Sequence, residues 1–352
     1  MNHVNQDCRH FRGDVPCRPH KKEGIHCDGC AYYEPVRERI LIIKLGAIGD
    51  VIRTTPLLRR LRQAYPQAEI TWLTLSPEIL PSEVDRALGF ELSNIISLQS
   101  DHFDLLINLD KDREAIALAA SVSAKRKEGF GMDPRTGKCT PLNGRSRHKW
   151  MTGLFDDINQ SNTKSYPEEI FEICGYEYGG ERYILDVEDH PWNLTERHPL
   201  VGLNTGCGGR WTTRLWPDEH WTELINQLRS SGNGVLLLGG PQEHERNVRL
   251  ASATGAAYQG TFPLKQFISL MSQCDVVVTG VTMAMHIAIG LNRKLVLFNN
   301  IFNPHEFELY GLGEIVEPPV DCKGCFKGSC DHDCMSLISP AEVYSAIQRV
   351  SR

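Results

Sequence analysis

The chain has 352 residues, enough for two hydrophobic cores rather than one, and its 41% hydrophobic and 23% charged residues are the proportions of an ordinary globular protein. A net charge of −6 argues against a nucleic-acid binder, whose surface is normally basic. The longest apolar runs, such as 235–238 and 276–278, are strand-sized and residues 1–30 lack the apolar stretch of a secretory signal, so a cytoplasmic protein with no spanning segment is expected.

Residues 1–38 are rich in Cys, His, Pro and Gly and show neither helical nor strand periodicity. The pattern then changes. The apolar run 40–44, bounded by Gly46, suits a buried strand of a parallel sheet. Asp50 can cap a helix over 51–65, which Pro66 ends, and 69–75 reads as the next strand. Strand, helix and strand in that length make a βαβ unit. Further strands are expected at 95–98 and 105–108, followed by an Ala-rich helix over 113–121.

After a Pro/His/Asn-containing linker, 190–199, the alternation resumes. Strands are expected at 200–204, 234–238, 275–279 and 294–298, and helices at 217–230, 243–254, 264–272, 282–290 and 340–350. The expected architecture is an α/β fold of two Rossmann-like domains facing a cleft, with ligands at the carboxyl ends of the strands. The expected division is a Cys-rich segment 1–38, a first domain 39–195, a second domain 196–320, a Cys-rich segment 321–335 and a terminal helix 336–352.

Of the twelve cysteines, four lie in the first thirty residues and four between Cys322 and Cys334. In a reducing compartment such clusters point to metal before disulfides. Cys322, Cys325, Cys330 and Cys334 form one compact set, and Cys8, Cys17, Cys27 and Cys30 a second, with His10, His20 and His26 as competing ligands. Soft ligands at this spacing suit tetrahedral zinc, with iron or an iron–sulfur cluster as the alternative, in a structural role.

The turn Gly46-Ala47-Ile48-Gly49-Asp50 lacks the spacing of a dinucleotide loop. A carboxylate at a helix N-terminus also occupies the niche that an anionic phosphate would use. The run Lys44–Val51 followed by Thr54–Leu58 instead resembles the N-terminal signature of the ADP-heptose-dependent heptosyltransferases, glycosyltransferases of the GT-B type. Residues 203–221 resemble that family's donor-domain loop, 239–245 its next strand-end loop, and 279–300 its D-T-G-x-x-H segment. These matches run in order along the chain. The stretch 299–311, with the cysteines after it, is similar to the iron-containing branch that heptosylates autotransporter proteins.

The resemblance implies inverting transfer of a sugar from ADP to an acceptor hydroxyl, with 39–195 binding the acceptor and 196–320 the nucleotide sugar. It places Asp50 as catalytic base and Thr205, Gly206, Gly209, Arg210, Arg214, Glu243, Thr282, Met283 and His286 at the donor. The glycines would bring amides to the diphosphate and the arginines would neutralise its charge. Val281 stands where the family has Asp, so a carboxylate for sugar hydroxyls is missing. Arg53, Arg59 and Arg60, with the basic stretch 125–149, are candidates for a glycolipid or glycan acceptor and for peripheral contact with the inner membrane. Alternatives are transfer to a protein or from another nucleotide sugar, a metal-stapled nucleotide-sugar-binding protein without catalysis, and a redox protein.

Overall fold

The computed structural model describes residues 3–209, 211–322 and 324–352. Among them, two six-stranded sheets form. The first contains β1 (Glu38–Ile43), β2 (Ala68–Thr74), β3 (Arg86–Gly89), β4 (His102–Asn108), β5 (Ser123–Met132) and β6 (Cys139–Pro141), in the order β3-β2-β1-β4-β5-β6. Only the β5–β6 pair is antiparallel. The second contains β7 (Leu200–Asn204), β8 (Gly234–Leu238), β9 (Ala257–Tyr258), β10 (Val276–Gly280), β11 (Lys294–Phe298) and β12 (Gly313–Val316), all parallel, in the order β12-β11-β10-β7-β8-β9. Both are doubly wound, with the order reversing between β1 and β4 and between β7 and β10. At such a reversal the loops leaving the strands diverge and a crevice opens.

The central strands are covered by helices on both faces, which is why they read as continuous apolar runs rather than alternating ones. Leu41, Ile43, Leu73 and Leu106 pack with Ala115, Leu118 and Ala119 of the helix Arg113–Ser121. Ile40, Ile42, Ile70 and Trp72 face the other way, into a core that continues through Met285, Ile287 and Leu297 of the second half. Trp216, Trp221 and Leu224 close the far face of the second sheet with Val343 and Ile347 of the terminal helix Pro340–Val350. No described helix is long and apolar enough to cross a membrane.

Several expectations need correction. The helix expected over 51–65 is two helices, Ile48–Ile52 and Pro56–Ala64. Pro56 has no N–H to give to Ile52, and the Thr55 hydroxyl donates to that carbonyl at 2.7 Å instead. Asp50 therefore lies in the first turn of the short helix rather than capping it, and its carboxylate accepts from the Ala47 N–H at 3.3 Å. The stretch 95–98 is helical, inside Leu92–Ser100; a short apolar run cannot be told from a strand by periodicity alone. The basic stretch 125–149 begins as strand β5, whose charged first half has no partner on its outer side, since β6 pairs only with Phe130–Met132. Lysines on an open edge are a common protection against further strand pairing.

Candidate active site

Between the two halves lies a cavity of about 940 Å³. The first half lines it with Ala47–Asp50 and Arg53. The second contributes Asn204, Gly206–Gly208, Trp211, Arg214, Gly239–Glu243, Val281–Ala284 and His286, with Phe262, Leu264, Phe267, Phe302, Glu306 and Phe307. These are mostly loops at the carboxyl ends of β1, β7, β8, β10 and β11, the positions that the doubly wound order favours.

Asp50 stands at the mouth, with a third of its side chain exposed. Arg53 Nη2 lies 2.7 Å from its carboxylate and Lys44 Nζ 4.0 Å away. Partial burial works to raise the Asp50 pKa, but Arg53 first and then Lys44 hold it down at about 2. Burial opposes the charge on Lys44, yet Tyr166, Asp50 and Asp110 together hold its ammonium above the usual range. Lys44 also donates to the Gly46 carbonyl at 2.5 Å and pairs with Asp110, which accepts from the Leu45 N–H as well. This buried pair fixes the path of the turn that carries Asp50.

Arg53 is itself clamped. Its guanidinium stacks 3.5 Å from the Tyr166 ring centroid, and Nη1 lies 3.9 Å from Glu306, which belongs to the other half. Glu306 accepts from Asn159 Nδ2 at 3.1 Å, and Asn303 donates back to the carbonyls of Asn159 and Asn162 at 2.6 and 2.7 Å. The placement of Asp50 is thus coupled to the apposition of the two halves. Glu306→Gln is expected to keep the fold and lower turnover by about 10- to 100-fold through a displaced base; an unchanged rate in steady-state kinetics would contradict that coupling.

His286, on the helix Met283–Gly290, packs against Gly49 so closely that a Cβ there would stand 2.5 Å from its Cδ2. Glycine at 49 is what lets the two halves meet. Burial, and then Arg53, depress the His286 pKa to about 3, so the ring is neutral at physiological pH. Between the ordinary value of 6.5 and about 3 the unfolded chain binds a proton that the folded chain refuses, so stability rises with pH across that window. Urea unfolding is expected to show about 3 kcal/mol lost between about pH 7 and pH 4, with the slope flattened in His286→Asn. An equal slope in both chains would assign the loss elsewhere.

Arg214 occupies the donor side. It donates to the carbonyls of Val281, of Cys207 at 2.9 Å and of Trp211 at 3.4 Å, with Phe302 5.3 Å from its guanidinium. Among the described residues no carboxylate pairs with it, and burial lowers its pKa. A desolvated cation with only neutral acceptors around it favours an incoming anion. Glu243 both lines the cavity and accepts from the Gly240 N–H at 2.9 Å. Its side chain lies across Gly206, where a Cβ would come within 2.1 Å of its Oε1. Thr282 caps its helix by accepting from the Ala284 N–H at 3.2 Å, and Asn204 ties the same corner by donating to Thr279 and Gly206. Val281 and Met283 make this part of the wall apolar.

Not every expected residue reaches the cavity. The Thr205 hydroxyl points away and donates to Asn247 Oδ1 at 2.6 Å, because alternation at the end of β7 aims its neighbours Asn204 and Gly206 at the cleft. Gly209 is exposed beyond the lining, and Arg210 lies outside the described residues. Arg59 donates to the Arg182 carbonyl and Arg60 to Gln63, both away from the cavity. The basic stretch is largely paired: Lys125 with Asp104, Arg126 and Arg145 with Glu128, Lys149 with Glu169. Sequence reasoning did not single out Asp110, Tyr166 or Glu306, since each acts through a partner distant in the chain.

The described cysteines are all free thiols. Cys322 and Cys330 are exposed, and Cys334 Sγ accepts from Asn300 Nδ2 at 3.3 Å. Among the described residues no group of three or more His, Cys, Asp or Glu side chains is arranged to hold a metal ion.

The chain is similar to known proteins in sequence and in fold. Residues 93–333 match the family described as glycosyltransferase family 9 (heptosyltransferase). Lipopolysaccharide heptosyltransferase 2 of Escherichia coli K12 is 26% identical over 293 residues, covering 73% of this chain and 81% of that protein. The crystal structure of a family 9 glycosyltransferase from Veillonella parvula superposes with a TM-score of 0.67 at 20% identity, over 90% of this chain and 98% of the other. An E. coli heptosyltransferase solved with ADP gives 0.64, also at 20% identity, over 89% and 99%. The family match spans most of the chain, and the superposed structures share its fold: this chain belongs to glycosyltransferase family 9, the heptosyltransferase family, and is a glycosyltransferase.

Proposed function

We propose that this enzyme transfers a heptose-type sugar from an ADP-sugar to a hydroxyl of a lipopolysaccharide core or related glycan, with inversion at the anomeric carbon. The observation that carries the reading is the pairing, across one cavity, of the clamped Asp50 carboxylate with the desolvated Arg214, which has no carboxylate partner among the described residues. The acceptor oxygen attacks C1 of the sugar, Asp50 receives its proton, and the diphosphate leaves toward Arg214 and the amides of Gly206–Gly208. A carboxylate held near pKa 2 is a weak base toward a free hydroxyl. It suffices when the proton moves late, after the forming C–O bond has acidified that hydroxyl. Glu243 and the apolar residues Pro241 and Phe262 supply groups suited to a nucleoside.

The relative named above is a lipopolysaccharide heptosyltransferase and one structure named above holds ADP, which supports this donor and acceptor class; we place the site of action in the cytoplasm, at the face of the inner membrane. The apolar Val281 and Met283 favour one second reading: the same chemistry with another sugar, for which Glu306 and Glu243 are the carboxylates on the donor-side wall. We read both Cys-rich segments as structural metal holders, zinc first, with iron or an iron–sulfur cluster as the alternative. At the C-terminal set, the Asn300 amide already donates to Cys334, a contact suited to a ligating thiolate.

The test is a panel of ADP-, UDP- and GDP-sugars scored for nucleotide release with and without candidate acceptors. Acceptor-dependent release from an ADP-sugar supports the reading. Release from none of the panel, by a protein that remains folded, overturns it.

A further inference from the structure

The loop that carries Arg214 is held from outside the cavity as well as from within it. Within, the Arg214 guanidinium donates to the carbonyls of Cys207 and Trp211 in its own loop, so the cation goes where the loop goes. From outside, Asn300 Nδ2 donates to the Thr213 carbonyl at 2.9 Å, and the Thr213 hydroxyl donates to the Lys327 carbonyl at 3.2 Å. Lys327 belongs to a short segment, residues 324–328, that does not line the cavity.

Phe326 is the unusual residue of that segment. Its φ is +53°, in the left-handed region that strains a residue with a bulky side chain and leaves glycine unstrained. Glycine does fill such a position two residues earlier, where Gly324 has φ +66°. A ring held where glycine would sit without strain points to a contact that the ring makes. That contact is Phe302, 6.0 Å away between centroids with the planes at 74°, the edge-to-face packing that aromatic pairs prefer. Phe302 in turn meets two residues of the donor loop, Trp211 at 6.1 Å between centroids and the Arg214 guanidinium at 5.3 Å. Phe302, Trp211 and Arg214 all line the cavity.

The segment is anchored firmly enough to act as a support. The Phe326 N–H donates to the Ile301 carbonyl at 2.9 Å and the Gly324 N–H to the Asn300 carbonyl at 3.3 Å, while Gln160 of the first half donates to the Gly324 carbonyl at 2.9 Å. At its other end Gly328 backs directly on Trp211: a Cβ there would stand 3.3 Å from Cε3 and Cζ3 of the indole.

We propose that Phe326 is a positioning residue for the nucleotide: through Phe302 it holds Arg214 and Trp211 in the cavity wall, where the diphosphate binds. The proposal rests on the assignment of Arg214 to the diphosphate. Phe326 itself touches no reacting atom. Without its ring, Phe302 is free to turn into the vacated space, its face no longer meets the guanidinium, and the loop carries Arg214 off its position. Edge-to-face and cation–π contacts are individually weak, so the loss of affinity is graded rather than complete.

The experiment measures the affinity of the full chain for ADP by calorimetry, in wild type, Phe326→Gly, Phe326→Tyr and Gly328→Ala, with melting temperatures alongside. Glycine adopts the backbone conformation at 326 freely. Phe326→Gly is therefore expected to fold and to bind ADP about 10-fold more weakly, short of the ~10²-fold that a misplacement of about 1 Å costs. Phe326→Tyr keeps the ring and is expected to bind as wild type does, whereas a purely structural turn would be served by glycine at least as well as by tyrosine. Gly328→Ala is expected to weaken ADP binding too, because its methyl group displaces Trp211, and it decides the matter should Phe326→Gly fail to fold. Wild-type affinity in a folded Phe326→Gly chain, or in Gly328→Ala where the first variant does not fold, would overturn the positioning role. So would a Phe326→Tyr chain as weak as Phe326→Gly. A folded wild type that binds no ADP would instead overturn the donor assignment, and this proposal with it.

Discussion

Asp50→Asn is expected to fold as wild type does and to lose transfer turnover by about 10²- to 10⁴-fold, the usual contribution of a positioned general base. The amide is nearly isosteric and can still accept from the Ala47 N–H, so the turn should keep its path through the Lys44–Asp110 pair. What disappears is the proton acceptor and the charge facing Arg53. Donor affinity should therefore change little while kcat falls, a split readable from calorimetry with the ADP-sugar alone and from steady-state rates. Because Asp50 is held at about 2, the wild-type rate should show no acid limb from this group above about pH 3. Turnover close to wild type in Asp50→Asn would remove Asp50 from the chemistry.

The second large effect is expected at Arg214. Arg214→Ala should lower kcat/KM for the donor by about 10²- to 10³-fold, the range seen when one group stabilising a developing anion is removed. Arg214 also holds the carbonyls of Val281, Cys207 and Trp211, so a purely architectural role has to be separated from an electrostatic one. Arg214→Lys does so. A lysine keeps the charge but not the planar fork that reaches several carbonyls. Recovery of most of the activity in Arg214→Lys assigns the effect to charge at the diphosphate. If the lysine variant is as impaired as the alanine one and melts earlier, the loop geometry is what Arg214 supplies.

The fold was legible where burial imposes a simple pattern. β1, β7, β8, β10 and β11 are short apolar runs because helices cover both faces of their sheets, and the helix Arg113–Ser121 and the terminal helix Pro340–Val350 fall where their periodicity put them. Legibility failed at edges and short elements. β5 carries Lys125, Arg126 and Lys127 in its first half, residues that an open edge tolerates and a buried strand does not. Pro56 split a helix whose apolar spacing runs straight through the break.

The site divides along similar lines. Asp50, Arg214, Glu243, Thr282, Met283 and His286 all reach the cavity, each sitting at a strand end or in the first turn or so of the helix after it. Thr205 does not, for the local reason that strand alternation turns it inward. The partners that tune Asp50 were not legible. Asp110, Tyr166 and Glu306 lie far along the chain from Lys44 and Arg53, and only the folded arrangement brings them to one place.

The central claim is a single displacement assisted by one carboxylate, and the anomeric configuration of the product tests it most directly. Transfer from an ADP-sugar of defined configuration, with the new glycosidic linkage assigned by NMR, is predicted to give an inverted anomeric centre in every product molecule. A retained centre would require a different reaction course and would contradict the role given to Asp50.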